Sequence, residues 1–318
     1  MTYKKIVAAA ILTSTFALAG CASDSGTANS ATEEEQLPNG NEADSTTNET
    51  VESDIGQTFD DMLLAEAPPS EVAAYLQQHL SEIPVETASE IVYKFEQYQQ
   101  KYLPHLEEKF HDSEIQVKIQ EQFGFTPPTD EQIEEVEDTE LAGLLTEMNE
   151  NGYKLEMAEG MYFPIIDYHF YRPFMEDTAA DAQAYIELMM AESDQVPAKD
   201  AALVIGWETI VERAVTQEKF LKDFPQSVFA GEAADLYAKY VTFLLFGLNN
   251  TPLFDYDANT IDSEAHAAFL SAVENGEDSE TITLLDQYLT IIEANGGQLT
   301  EEVEEFRTDY SEALKEGI

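Results

Sequence analysis

Basic residues are scarce in this chain. It has 15 Lys and Arg against 64 Asp and Glu, a formal charge of −49. Arginine occurs three times, as Arg172, Arg213 and Arg307. A surface this acidic repels nucleic-acid phosphates and anionic headgroups, which excludes both as direct partners. Cysteine is nearly absent: Cys21 stands alone, so no internal disulfide braces the fold and core packing must hold it. No apolar run approaches the eighteen residues of a membrane span. No phosphate-binding loop, dinucleotide glycine pattern, Gly-x-Ser-x-Gly elbow or His-Glu-x-x-His helix occurs. The specific signatures of catalysis are therefore missing.

What is present starts with Lys4 and Lys5, followed by a largely apolar stretch over residues 6–18 and then Leu18-Ala19-Gly20-Cys21. As a helix this stretch rises about 20 Å, short of a hydrocarbon core of roughly 30 Å. Basic start, apolar middle and small residues fit a secretory segment. Ending in cysteine, the arrangement resembles a bacterial lipoprotein signal peptide with its lipobox. The resemblance implies that residues 1–20 are removed and that Cys21 carries lipid. The alternative is an ordinary signal peptide in which Cys21 is incidental. Two or more acyl chains hold a protein firmly to a bilayer, each buried CH₂ contributing about 0.8 kcal/mol. The expected location is the extracytoplasmic face of the cell membrane. In a Gram-negative source the outer membrane is the alternative, because Ala22 lacks the aspartate associated with inner-membrane retention.

Residues 21–56 read as a disordered acidic linker. From 22 to 56 there are nine acids, no Lys, no Arg and no aromatic residue. Such a segment buries too little apolar surface to offset its ordering entropy, and like charges extend it. Residues 57–318 number 262, enough for one large domain or two small ones; a subdivision near residue 150 stays open.

The fold expected is mainly α: a multi-helix bundle or irregular helical array, with one short β hairpin or extended segment near 153–166. Val72, Tyr75, Leu76 and Leu80 fall at helical intervals, as do Ile91, Val92, Phe95 and Tyr98. Thr129 with Gln132 forms a capping-box pattern. Tyr153, Leu155 and Met157 instead alternate with polar or small residues up to Glu159-Gly160, the pattern of a strand and tight turn. Further helices are expected near 177–193, 198–217, 226–247, 262–275, 279–294 and 300–315. Glu159-Gly160-Met161-Tyr162-Phe163-Pro164, Glu192-Ser193-Asp194-Gln195, Pro197-Ala198-Lys199-Asp200 and Asn249-Asn250-Thr251-Pro252 together resemble uncharacterised lipoproteins of Bacillus-type bacteria. That resemblance implies a source and no mechanism.

Four groups of side chains are candidates for chemistry. Asp167-Tyr168-His169-Phe170-Tyr171-Arg172 is the densest mixture of aromatic and ionisable residues. Asp167, Tyr168, His169, Tyr171 and Arg172 are the candidate ligand-binding residues: Arg172 would grip an anionic group while the tyrosines stack on the ligand body. The structural alternative has the segment closing the hairpin onto the bundle, with Arg172 in an internal ion pair. Asp255, Asp257 and Asn259 are candidate cation ligands, although an EF-hand would need glycine and glutamate where Thr260 and His266 stand. His105, Glu108 and Asp112 share a helical face, and Glu208 and Glu212 lie four apart beside Trp207, a predicted core residue.

The chain is therefore expected to be a tethered extracytoplasmic lipoprotein, a non-enzymatic component that binds a protein or ligand. No cofactor is expected; a divalent cation is the one alternative left open. Expected partners are the membrane, through lipid on Cys21, and a cationic protein or peptide. A carboxylate- or metal-dependent hydrolase and a solute- or cation-capture lipoprotein remain alternatives.

Overall fold

The computed structural model describes residues 43–276 and 279–317. Cys21 and the proposed signal segment lie outside them. Ala43–Ile318 groups as one compact unit. The chain runs α1 (Ala43–Leu64), α2 (Pro69–His79), α3 (Val85–Phe110), α4 (Ser113–Phe123), α5 (Asp130–Glu134) and α6 (Thr139–Glu150). A hairpin follows, β1 (Tyr153–Ala158) and β2 (Met161–Ile166), then a 3-10 turn (Tyr168–Tyr171), α7 (Arg172–Met175) and α8 (Ala180–Asp194). Next come β3 (Ala198–Lys199), β4 (Ala202–Leu203), α9 (Trp207–Asp223), α10 (Ala230–Phe246), β5 (Gly247–Leu248) and β6 (Thr251–Pro252). The helices α11 (Ser263–Asn275), α12 (Glu280–Ala294) and α13 (Glu301–Gly317) close the chain. The protein is mainly α, with short antiparallel strand pairs. Among the described residues no helix is long and apolar enough to cross a membrane.

Local chemistry sets the ends of these elements. Thr129 and Gln132 form the capping box that the sequence predicts for α5. Asp112, Asp138, Asp262 and Ser279 each accept a backbone N–H at a helix start, a contact worth about 1 kcal/mol. Pro104 lies inside α3, and the helix continues through it.

Buried side chains form three clusters. The first centres on Phe59, Leu76, Phe95, Phe110, Tyr153 and Phe174. The second centres on Trp207, Tyr240, Leu244, Phe269 and Tyr288. A small aromatic cluster of Tyr185, Phe220 and Phe229 joins α8 to α9 and α10. Full burial of such a side chain contributes about 1.5–3 kcal/mol. The change of core falls between α8 and α9, rather than near residue 150.

Three sequence expectations need correction. The linker does not extend to residue 56: α1 begins at Ala43, and Val51, Ile55 and Phe59, spaced four apart, pack into the first cluster. The expected helix over 198–217 starts only at Trp207, because residues 198–203 form a two-strand turn. Three strand pairs occur among the described residues, where one was expected.

The hairpin near 153–166 is present, with Tyr153 opposite Ile166 and Ala158 opposite Met161. Glu159 and Gly160 have φ of 51° and 75°, as a two-residue turn matching strand twist requires. Asp200 and Ala201 make the second such turn, with φ of 51° and 57°. The β5–β6 turn supports it: Asn250 donates its backbone N–H to Ala201 O at 2.8 Å and its amide to Asp200 O at 2.6 Å. Glu159 N also donates to Asp200 Oδ2 at 3.4 Å. The tips of all three hairpins therefore meet.

Candidate functional site

The segment 167–172 divides between a cleft and the core. Asp167 follows β2 and accepts the backbone N–H of His169 at 3.2 Å, which starts the 3-10 turn. With three residues per turn, side chains three apart share a side. Tyr168 and Tyr171 go inward and are buried, their rings 5.5 Å apart and nearly parallel. The Tyr168 hydroxyl donates to Glu96 and the Tyr171 hydroxyl to Gln99. Asp167 and His169 stay half-buried on the wall of a cleft of about 610 Å³, together with Lys154, Glu156, Asp194 and Lys199.

Asp194, the last residue of α8, completes the group. His169 Nε2 lies 2.8 and 2.9 Å from its two carboxylate oxygens. Lys154, on β1, places Nζ 3.3 Å from Asp167 Oδ1 and 3.2 Å from Asp194 Oδ1. Burial opposes ionisation of Asp194, but the His169 hydrogen bond and the Lys154 ammonium outweigh it, and its carboxyl sits below the usual range. Beside this group Lys199 pairs with Glu156 at 2.6 Å. One ligand atom each from Asp167, His169 and Asp194 lies within 4.8 Å of the others, the one such group of metal-capable side chains among the described residues.

Other sequence candidates sit elsewhere. Arg172 is exposed and takes no part in the cleft, and neither tyrosine faces it. The expected grip by Arg172 with stacking by Tyr168 and Tyr171 is thus not assembled, and neither is the internal ion pair of Arg172. Asp255 Oδ1 accepts the N–H groups of Asp257 and Ala258 at 2.9 and 2.6 Å, closing a turn in which Asn259 has φ of 52°. His105 and Glu108 lie on α3, but Asp112 falls beyond its end and caps α4, so the shared helical face is not formed; all three line a groove of about 770 Å³. Glu208 and Glu212 are exposed, and Trp207 is core, edge-on to Phe269 at 5.9 Å.

Sequence reasoning named Asp167 and His169 but missed Asp194 and Lys154 as their partners. A fold is needed to bring α8 and β1 to this turn. It also missed the buried carboxylates, Glu192 and Glu96 among them. Glu192 accepts from Arg213 at 3.0 Å and from the Tyr240 hydroxyl, with Lys239 at 3.4 Å. Glu96 has 1% of its surface exposed, and its pKa is pushed up to about 7 by burial, against the lowering hydrogen bonds from Tyr168 and Tyr185. No protein-family model, curated protein or solved structure matches this chain.

Proposed function

We propose that this protein is a lipid-anchored extracytoplasmic lipoprotein whose helical body binds a ligand in the cleft beside Asp194, without catalysis. The observation that carries this reading is Leu18-Ala19-Gly20-Cys21, after a basic start and an apolar stretch and containing the sole cysteine. The cleft supports the binding half. It is open, and it gathers Asp167, His169 and Asp194, with Lys154 set between the carboxylates. The overall negative charge draws cationic ligands or basic peptides towards it. Two or more acyl chains would keep the body at the membrane surface.

The hydrolase reading rests on one feature. Asp194 orients His169, as a carboxylate orients a general base. The nearby Ser193 hydroxyl is already committed: it donates to Met190 O at 3.2 Å and accepts the Tyr168 N–H at 3.5 Å. It offers His169 no nucleophile, so binding is the better reading.

Detergent partitioning of intact producing cells tests the proposal. The native chain should enter the detergent phase and be digested by protease added outside the cells, or outside spheroplasts for a Gram-negative source. Recovery in the aqueous phase, or protection from that protease, would contradict it.

A further inference from the structure

We propose that Asp167, His169 and Asp194 hold a first-row divalent cation of the zinc, cobalt or nickel kind, which replaces the Lys154 ammonium between the two carboxylates. This deepens the reading of the cleft as the binding site and rests on it.

The fold already supports positive charge at this point. Lys154 Nζ sits 3.3 and 3.2 Å from the two carboxylates. A divalent ion carries twice that charge and bonds to all three side chains, including the imidazole, which an ammonium cannot use as a ligand in the same way. Asp194 ends α8, whose last turn has no basic residue. The carbonyl end of a helix carries partial negative charge and favours a cation there. Lys154, on the hairpin strand, is 27% exposed and has solvent to move into.

The donor set selects the ion. Calcium takes six to eight oxygens, and magnesium keeps its waters. One imidazole with two carboxylates suits zinc, cobalt or nickel. Such ions sit roughly 2.0–2.2 Å from nitrogen and oxygen ligands. Donor atoms within 4.8 Å of one another close around one after side-chain shifts of about 1 Å. The open side of the cleft leaves a fourth position for water or for a donor atom of a bound ligand. The turn that carries two of the three ligands is fixed from behind, because Tyr168 is hydrogen-bonded to buried Glu96. Support of this kind sharpens a metal site.

The test must separate this site from diffuse attraction to an acidic surface. Zinc chloride is titrated into the full chain by calorimetry at pH 7.5 in 0.3 M NaCl, where the screening length is only about 5–6 Å. One saturable zinc per chain is expected. His169→Ala changes the net charge little, so it spares diffuse binding, yet it should weaken this site by more than the about 10- to 100-fold that loss of an outer partner brings. Asp194→Asn should do the same, and Lys154→Met should tighten binding several-fold. Cobalt loading reads the ligand set independently: the native chain should give visible bands that His169→Gln shifts or abolishes. Circular dichroism confirms that each variant is folded. Absence of saturable zinc binding by the native chain, or equal binding by folded His169→Ala and Asp194→Asn, would overturn the metal site. Binding of zinc by a chain that fails to anchor leaves the site standing and removes the anchor alone.

Discussion

The Tyr185 hydroxyl donates to Glu96 Oε1 at 2.9 Å, while Glu96 Oε2 is buried with no hydrogen-bond partner. Tyr168 also donates to Oε1, so this one carboxylate ties α3 to α8 and to the turn carrying Asp167 and His169. Glu232 on α10, which accepts the Tyr93 hydroxyl at 2.7 Å, adds charge repulsion against Glu96.

This arrangement makes stability depend on pH. Burial raises the Glu96 pKa from the ordinary carboxylate value of 4.5 to about 7 in the folded chain. Between these values the folded state binds more protons than the unfolded state, so this group's contribution falls as pH rises. The loss is complete above about pH 7 and on the order of 3 kcal/mol. Glu96→Gln should stabilise the chain at pH 8, by up to that amount, and change little at pH 4. Urea titrations of both proteins at the two pH values check it.

Screening should stabilise the fold. The chain carries −49 formal charges, and self-repulsion opposes compaction. The screening length falls from about 30 Å at 0.01 M salt to about 8 Å at 0.15 M. A gain of about 2 kcal/mol would raise Tm by roughly 4–8 °C. Calorimetric scans across sodium chloride concentrations measure this; a flat or falling Tm would contradict it.

Arg213 joins α9 to the end of α8 through Glu192 at 3.0 Å and Gln195 O at 2.9 Å. Arg213→Met leaves a buried carboxylate with only the more exposed Lys239 and the Tyr240 hydroxyl. It should destabilise the chain by about 2–3 kcal/mol in urea denaturation. The double variant Arg213→Met with Glu192→Leu should recover more than half of that loss.

Asn250 holds the Asp200-Ala201 turn in the left-handed region by two hydrogen bonds. Asn250→Ala keeps the backbone bond and removes the side-chain one, so it should cost about 0.5–1 kcal/mol, and Ala201→Gly should relieve strain and stabilise by a few tenths to about 1 kcal/mol. Thermal unfolding of the two variants gives both signs.

The same turn shows where sequence stops informing. Residues 198–206 are rich in Ala, Val and Leu and read as helix; they become a hairpin because Asn250, fifty residues away, supports the turn. The first hairpin was legible because alternation from Tyr153 to Met157 and Glu159-Gly160 are both local signals. The start of α1 was hidden among acids, since Val51 and Ile55 alone continue the face of Phe59. In the cleft, Asp167 and His169 were legible as neighbours in a mixed segment. Their orientation away from Tyr168 and Tyr171 depended on the 3-10 turn, and Asp194 and Lys154 on the approach of α8 and β1.

The anchor is the claim on which the cellular role rests, and radiolabelled palmitate tests it most directly. Label should enter the native chain and be absent from Cys21→Ser, which should leave the membrane fraction. Equal labelling and equal retention of the two proteins would contradict the account.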